Sequence, residues 1–307
     1  MPSWNQLLAE FTAVPDQDKP AWFSAKLPSL LADISALRHD RNVIFYSSAF
    51  LEKPTVPGYA TQITHEDLNA FMAVIHGMDW AKGLTLLLHT PGGVTNAAET
   101  LVAYLRSKFD SIEVIVPALA MSAGTMISLS AERIIMGRQS QLGPIDPQMP
   151  VGGRFISARA AVEQFDRAKT EILADQLTAH AWAPILSSLG PAMLQEAQNA
   201  LDYGEQMVAT WNAKYMFDGD PQAVQKGAAV AAHFNDATKH KSHGRRIDRD
   251  EARGVGVVVD DLENDQPLQE AVLSAYHVLT ILFSSSPAAK VLWSTTGASF
   301  IKNLANP

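Results

Sequence analysis

The chain has 307 residues, of which 47% are hydrophobic, so it carries enough apolar side chains for a sizeable core. Its formal net charge of −8 argues against a nucleic-acid-binding surface, and we expect no nucleic-acid partner. The absence of cysteine excludes a disulfide framework and catalysis by a thiol.

The first 40 residues are predicted to form an N-terminal helical arm. Helical patterns around residues 4–12 and 26–37 are separated by Val14-Pro15-Asp16. The first residues lack the basic and apolar stretches of a secretory signal. No run of about 18 uncharged apolar residues predicts a transmembrane helix. We therefore expect a cytoplasmic protein without a transmembrane segment.

Strands and helices alternate from residue 42 to residue 136. Residues 42–47 and 84–89 are short apolar runs that predict buried strands, and residues 68–75 predict a helix between them. This alternation predicts right-handed βαβ units in an α/β fold.

A glycine turn follows the second of these strands. Gly92 and Gly93, after Pro91, permit positive φ angles and a close approach of backbone amides to a ligand. Asn96 and Glu99 then have the spacing of a capping box, which predicts the start of a helix. The apolar positions of that helix are Leu101, Leu105 and Phe109.

A lone serine follows the next predicted strand, residues 112–120, which Pro117 interrupts. Ser122 precedes a helix of small residues predicted over 126–131. A hydroxyl there lies near unpaired helix N–H groups and the positive end of the helix dipole, which favour an oxyanion. The alternative is that Ser122 is an ordinary N-cap and that the glycines form an ordinary turn. The two motifs together favour an acyl-transfer site.

Three sequence blocks carry a family resemblance: T-P-G-G at 90–93, M-S-A-G-T at 121–125 and L-G-P-I-D-P-Q at 142–148. A weaker fourth block covers 243–257. In this order they resemble the ClpP/crotonase superfamily, closest to its SppA-like and serine dehydrogenase proteinase (SDH) branch. The resemblance covers roughly residues 42–260.

The resemblance implies a ClpP/crotonase-like fold of repeated ββα units. It places the catalytic domain at residues 41–260, between helical extensions at residues 1–40 and 261–307. Residues 261–266 are acidic and polar, which predicts a hinge before an apolar helix over 271–283.

The family's site residues transfer by position. The resemblance implies that Ser122 is the nucleophile and that the amides of Ala123 and of Gly93, or alternatively Gly92, form the oxyanion hole. We expect no cofactor. The ClpP-like pattern expects a histidine near residues 143–147, and this chain has none there.

SppA-like enzymes use a later lysine as the base, which points to Lys169. Lys169 adjoins the apolar face of a predicted helix, where partial burial would lower its pKa toward that of a useful base. The alternative is a solvated lysine that pairs with a nearby carboxylate such as Asp166. No lysine lies between Lys108 and Lys169, and His180 is the next candidate along the chain.

Asp146 has two interpretations. It could orient a base or line the substrate cleft, or its carboxylate could satisfy local amides in a rigid proline-flanked turn.

The basic stretch 239–246 is interpreted as a solvated loop before a helix. His240 and His243 have a spacing that metal sites use, but they lack a ligand cluster, and we expect no metal.

The preferred function is that of a serine endopeptidase with a Ser122 acyl-enzyme and a Ser122–Lys169 dyad. The expected substrate is an unfolded protein or peptide bound in extended form. The resemblance also implies a homo-oligomer, and it leaves the need for an ATPase partner open. The alternatives are a crotonase-like acyl-CoA enzyme and a catalytically inactive scaffold of the same fold.

Overall fold

The computed structural model describes residues 4–190 and 192–304, which form two compact units. The first unit runs up to residue 142 and resumes at residue 246, and the second comprises residues 143–245. The predicted domain boundaries after residues 40 and 260 stay predictions. The outermost residues of both predicted extensions and Pro191 lie outside the described residues.

The strands are β1 (Asn42–Ser48), β2 (Leu84–His89), β3 (Ile112–Val116), β4 (Leu119–Ala120), β5 (Arg133–Met136), β6 (Gln141–Leu142), β7 (Gln148–Val151), β8 (Arg154–Ser157), β9 (Val259–Asp261), β10 (Ala288–Ser294) and β11 (Ser299–Asn303).

The helices are α1 (Trp4–Ala13), α2 (Lys19–Leu37), α3 (Gly58–Thr61), α4 (Asp67–Ile75), α5 (Thr95–Arg106), α6 (Ala123–Leu129), α7 (Ala158–Ala174), α8 (Ala179–Ser187), α9 (Met193–Trp211), α10 (Ala223–Asn235), α11 (Ala237–His240), α12 (Arg249–Gly254) and α13 (Gln266–Ser285).

A seven-stranded sheet in the order β11-β10-β1-β2-β3-β5-β9 organises the first unit. The pairings from β1 through β2, β3 and β5 to β9 are parallel, whereas β10 and β11 are antiparallel to their neighbours. Every residue of β1, β2 and β3 is buried, as the continuous apolar runs predict for parallel strands covered on both faces. The predicted α/β class is confirmed.

The helices α1 and α2 of the N-terminal segment pack with α13 on one face of this sheet. Their buried side chains, including Leu27, Leu31 and Ile34, share one core with Val272, Leu279 and other residues of α13. The two predicted helical patterns of the arm are confirmed, although the second helix begins earlier, at Lys19.

The C-terminal segment differs from the prediction. Residues 261–266 are not a hinge, because Asp261 ends β9, Leu262 is buried, and Asp265 caps α13 by accepting the Leu268 N–H at 3.0 Å. The predicted helix 271–283 lies within α13, but β10 and β11 follow it. Lys290 interrupts the apolar run of β10, which explains why the pattern alone does not reveal this strand.

The predicted capping box is also wrong. The N-cap of α5 is Val94, which makes no side-chain cap, so Asn96 already lies inside the first turn. The start of the helix is fixed from outside, because the Val94 N–H donates to the Ile63 carbonyl at 3.0 Å.

The second unit contains the β7–β8 hairpin and the helices α7 to α11. A small core of Ala158, Ala161, Ala197 and Leu201 joins α7 to α9. The predominantly helical character predicted for residues 157–216 is confirmed by α7, α8, α9 and a π-helical turn at Asn212–Met216.

Across residues 4–190 and 192–304, no helix combines the length and the apolar character needed to cross a membrane.

Candidate active site

The glycine turn after β2 is held against two neighbouring segments. A Cβ at Gly93 would lie 2.3 Å from the Ile63 carbonyl oxygen, and one at Gly92 would lie 2.7 Å from the Ser122 Cβ. Gly92 has a φ of +94°, in the region that favours glycine. Both positions therefore require glycine because backbone or Ser122 atoms occupy the space of a side chain.

Ser122 follows β4 in a strained backbone conformation, with φ +52° and ψ −117°. A residue other than glycine in a sparsely populated region costs about 1–3 kcal/mol, and such residues cluster at functional sites. Ser122 occupies the N-cap position of α6 but makes no side-chain cap hydrogen bond. The interpretation of Ser122 as an ordinary capping serine is therefore wrong.

The ends of β2 and β4 are joined at Thr90. The Thr90 N–H donates to the Leu119 carbonyl at 2.9 Å, and the Met121 N–H donates to the Thr90 carbonyl at 3.0 Å. This short parallel pairing brings the glycine turn and Ser122 to the same edge of the sheet, where parallel strands end.

Two backbone amides at this edge are candidates for the oxyanion hole because of their hydrogen-bonding state. Among the residues that the structure describes, the N–H groups of Gly93 and Ala123 donate no hydrogen bond. The Gly92 N–H, by contrast, donates to Thr90 Oγ1 at 3.2 Å. Ser122 is partly exposed, and its Oγ also has no hydrogen-bond partner within the described ranges. A hydroxyl and two unpaired amides are the components of an acyl-transfer site.

His89 lies beneath this edge, at the end of β2, with 1% of its surface exposed. The Leu119 N–H donates to its Nδ1 at 3.3 Å, so the proton of the neutral ring is on Nε2. The rings of Phe50 and Tyr276 flank it, each with its centroid 4.9 Å away. Burial lowers the pKa of His89 to about 3, so it stays neutral at ordinary pH.

The two candidate bases singled out in the sequence lie in the second unit. Lys169, on α7, is exposed, so the partial burial expected for it is not found. Within the described part of the chain it has no ion-pair partner, and the alternative pairing with Asp166 is not formed. His180, on α8, is exposed as well.

Asp146 makes a contact that the sequence did not reveal. It is 2% exposed, and its Oδ1 lies 2.8 Å from His243 Nδ1, while its Oδ2 accepts Gln148 Nε2–H at 2.7 Å. These three residues line a cavity of about 340 Å³ in the second unit. An imidazole oriented through Nδ1 by a buried carboxylate is the arrangement of a general base and its orienting group. The only signal in the sequence was the presence of Asp146 and His243 in separate motif blocks.

His240 has a structural contact instead of a metal-binding environment. It is 3% exposed, and its Nε2 lies 2.7 Å from the His233 carbonyl oxygen. The residues that the structure describes contain no group of three or more histidine or acidic side chains arranged to hold a metal.

The middle of the chain matches a known protein family. The family described as ClpP-like SDH-type serine proteinase matches residues 47–181. Over these residues the chain is similar to the ClpP-like SDH-type serine proteinases. The predicted relationship and the ClpP-like fold class are confirmed. The matched segment includes Gly93, Ser122 and Lys169 and ends before His243 and Lys290.

Two curated relatives from Methanocaldococcus jannaschii are both named uncharacterized proteins. The first is 41% identical over 119 residues, which is 37% of this chain and 41% of the relative. The second is 37% identical over 87 residues, which is 28% of this chain and 30% of the relative. The chain thus matches less than half the length of these relatives.

Among solved structures, two variants of the membrane-bound stomatin-specific protease 1510-N are similar. A serine-to-alanine variant has 19% identity and a TM-score of 0.40, over 65% of this chain and 75% of that chain. A lysine-to-alanine variant in complex with a substrate peptide has 19% identity and a TM-score of 0.39, over 65% and 71%. These likenesses assign no role to residues of this chain.

Proposed function

We propose that the protein is a serine endopeptidase that cleaves peptide bonds through a Ser122 acyl-enzyme. The observation that carries the proposal is the strained, uncapped Ser122 at the edge where the Gly93 and Ala123 amides are unpaired. The family match of residues 47–181 supports the same chemistry.

The proposed reaction has two stages. A base takes the Ser122 hydroxyl proton while Oγ attacks the peptide carbonyl carbon, and the Gly93 and Ala123 amides bind the resulting oxyanion. Collapse of this intermediate breaks the C–N bond, and the leaving amine receives the proton. Water then attacks the Ser122 ester by the same route and releases the acid product. Loss of one oxyanion donor typically costs about 10²–10³ in kcat, so both amides matter to the rate.

Lys169 is the base in this proposal. Because Lys169 is exposed in the described chain, the proposal requires substrate binding or assembly to remove solvent from its side chain. His243 is the alternative base, and it is favoured by its hydrogen bond to the buried Asp146. His180 lacks a comparable orienting group within the described ranges.

The substrate is proposed to be an unfolded protein or a peptide bound in extended form. A homo-oligomer is proposed as the active assembly, as the family resemblance implies. Since the chain matches only part of its curated relatives, the substrate and the assembly are proposals for the whole protein.

Covalent labelling tests the nucleophile. We expect a fluorophosphonate probe to form an adduct on Ser122, detected by peptide mass spectrometry. Ser122→Ala should remove the adduct, whereas Ser128→Ala, a matched control at a buried hydroxyl on α6, should retain it. An adduct on another serine, or no adduct together with a rise in melting temperature on adding acyl-CoA, would contradict the peptidase and favour the crotonase-like alternative.

A panel of variants identifies the base. We expect Lys169→Ala to lower turnover at least about 10³-fold at unchanged melting temperature, because an unassisted serine hydroxyl is a weak nucleophile. His180→Ala should keep full activity. If Lys169→Ala is fully active while His243→Ala and Asp146→Asn both lose turnover, the lysine dyad is wrong and the Asp146–His243 couple supplies the base.

A further inference from the structure

Four buried polar side chains of the first unit support the glycine turn and the segment that faces it. Lys290 Nζ donates to both oxygens of Asp67, at 2.7 and 2.9 Å. The Tyr46 hydroxyl donates to Asp67 Oδ2 at 3.2 Å, and the nearby Thr90 hydroxyl lowers the pKa of Tyr46. Thr90 Oγ1 accepts the Gly92 N–H at 3.2 Å. Lys290, Asp67, Tyr46 and Thr90 are called the buried chain below.

No member of the buried chain is more than 1% exposed. Burial lowers the pKa of Lys290, and the adjacent Asp67 carboxylate opposes that change. Burial, followed by the charge of Asp67, raises the pKa of Tyr46 well above its usual value, so its hydroxyl keeps its proton and donates. A buried ion pair is often no more stabilising than apolar residues of the same size, so overall stability alone does not explain this arrangement.

The buried chain also holds the segment that faces the glycine turn. Lys290 Nζ donates to the Gln62 carbonyl at 2.7 Å, and Asp67 Oδ2 accepts the Thr64 N–H at 2.8 Å. These two bonds fix the residues on either side of Ile63.

Ile63 in turn binds the glycine turn on both sides of Gly93. Its N–H donates to the Gly92 carbonyl at 2.8 Å, and its carbonyl accepts the Val94 N–H at 3.0 Å. The Gly93 N–H, which lies between these bonds, is left unpaired in the described structure. The buried chain thus reaches the turn by two routes, through the Gly92 amide and through Ile63.

We infer that the buried chain is a positioning network for the oxyanion turn: it fixes Gly92 and Ile63 so that the Gly93 N–H keeps its direction. The expected effect on the rate of the Ser122 reaction rests on the proposed peptidase function. The expected effect on the position of the turn does not. Lys290 lies outside the family-matched segment, so the C-terminal strand β10 supplies part of the support for the site.

Two variants test the network by activity. Tyr46→Phe removes the hydroxyl that donates to Asp67 Oδ2. The double variant Asp67→Asn/Lys290→Met removes the bond to the Gln62 carbonyl without leaving an unpaired buried charge. We expect each to slow fluorophosphonate labelling of Ser122 at least about tenfold and to lower kcat with little change in KM, because the geometry of one donor is disturbed.

Glu113→Gln is the matched control. Glu113 is also a buried carboxylate on the same sheet, paired with Arg38 at 2.6 Å and with the Thr85 hydroxyl at 2.7 Å, and it has no described bond to the turn. We expect it to lower stability without slowing labelling. If it slows labelling as much as the network variants do at equal stability, the network has only a structural role and the inference is overturned.

Amide hydrogen exchange separates this inference from the proposed function. We expect exchange at Ile63 and Val94 to become at least about tenfold faster in the network variants and to stay unchanged in Glu113→Gln. Unchanged exchange at both amides in the network variants would overturn the inference. If wild-type Ser122 is not labelled and acyl-CoA raises the melting temperature, the peptidase proposal fails, whereas the exchange result still decides whether the network holds the turn.

Discussion

Gly92→Ala is expected to abolish the reactivity of Ser122 while the sheet stays folded. The new Cβ would lie 2.5 Å from the Met121 carbonyl oxygen and 3.0 Å from the Ala123 nitrogen, so the backbone on both sides of Ser122 must shift. A displacement of about 1 Å costs roughly 100-fold in a reaction that depends on alignment. We therefore expect labelling to slow at least about 100-fold.

The same substitution should also destabilise the protein. A positive φ of +94° costs alanine about 1–2 kcal/mol, and the contact with fixed backbone adds about 1–3 kcal/mol. Urea unfolding should therefore show a loss of more than about 2 kcal/mol in the free energy of unfolding.

Gly77→Ala separates the two effects. Gly77 has a similar φ of +79°, but a Cβ there meets no atom within 4 Å. We expect it to lose only about 1–2 kcal/mol and to label at the wild-type rate. Normal labelling of Gly92→Ala would show that the turn does not position Ser122.

Acid should destabilise the folded state through His89. An ordinary histidine pKa is near 6.5, and burial lowers that of folded His89 to about 3. Between these values the unfolded chain binds more protons, so the free energy of unfolding decreases as the pH falls from about 6.5 toward 3. This difference between the two pKa values corresponds to at most about 5 kcal/mol in the free energy of unfolding. The full contribution is present above pH 6.5.

Urea unfolding at several pH values checks this prediction. His89→Asn keeps an acceptor for the Leu119 N–H but cannot become charged, so its stability should decrease less between pH 6.5 and 4 than that of the wild type. His76→Asn, at an exposed histidine, should follow the wild-type pH dependence. If the wild type and His89→Asn had the same pH dependence, His89 would not be a cause of the destabilisation by acid.

Short segments with a complete local signal were predictable from the sequence. The runs of β1 and β2 are mostly apolar because both faces of the parallel sheet are covered. The Gly92–Gly93 turn and the serine after β4 were recognisable because few residue types fit such sharp, crowded backbone positions.

Contacts between distant residues were not predictable. Asp146 and His243 are 97 residues apart, and Lys290 and Asp67 are 223 apart. Neither pair follows the period of a helix or strand, so periodicity carries no information about it. The burial expected for Lys169 was wrong for a related reason, since a position next to an apolar helix face does not show what covers that face.

The sequence by itself determined the α/β class, the principal strands, the turn at Gly92 and Gly93, and the turn at Ser122. These features depend on neighbouring residues and on steric limits of the backbone. Only the tertiary structure decided that Ser122 is strained and uncapped, that β10 joins the sheet, and that Lys290 reaches the segment beside Gly93. These features arise when remote segments pack together, and burial then makes each polar group depend on the partner it meets.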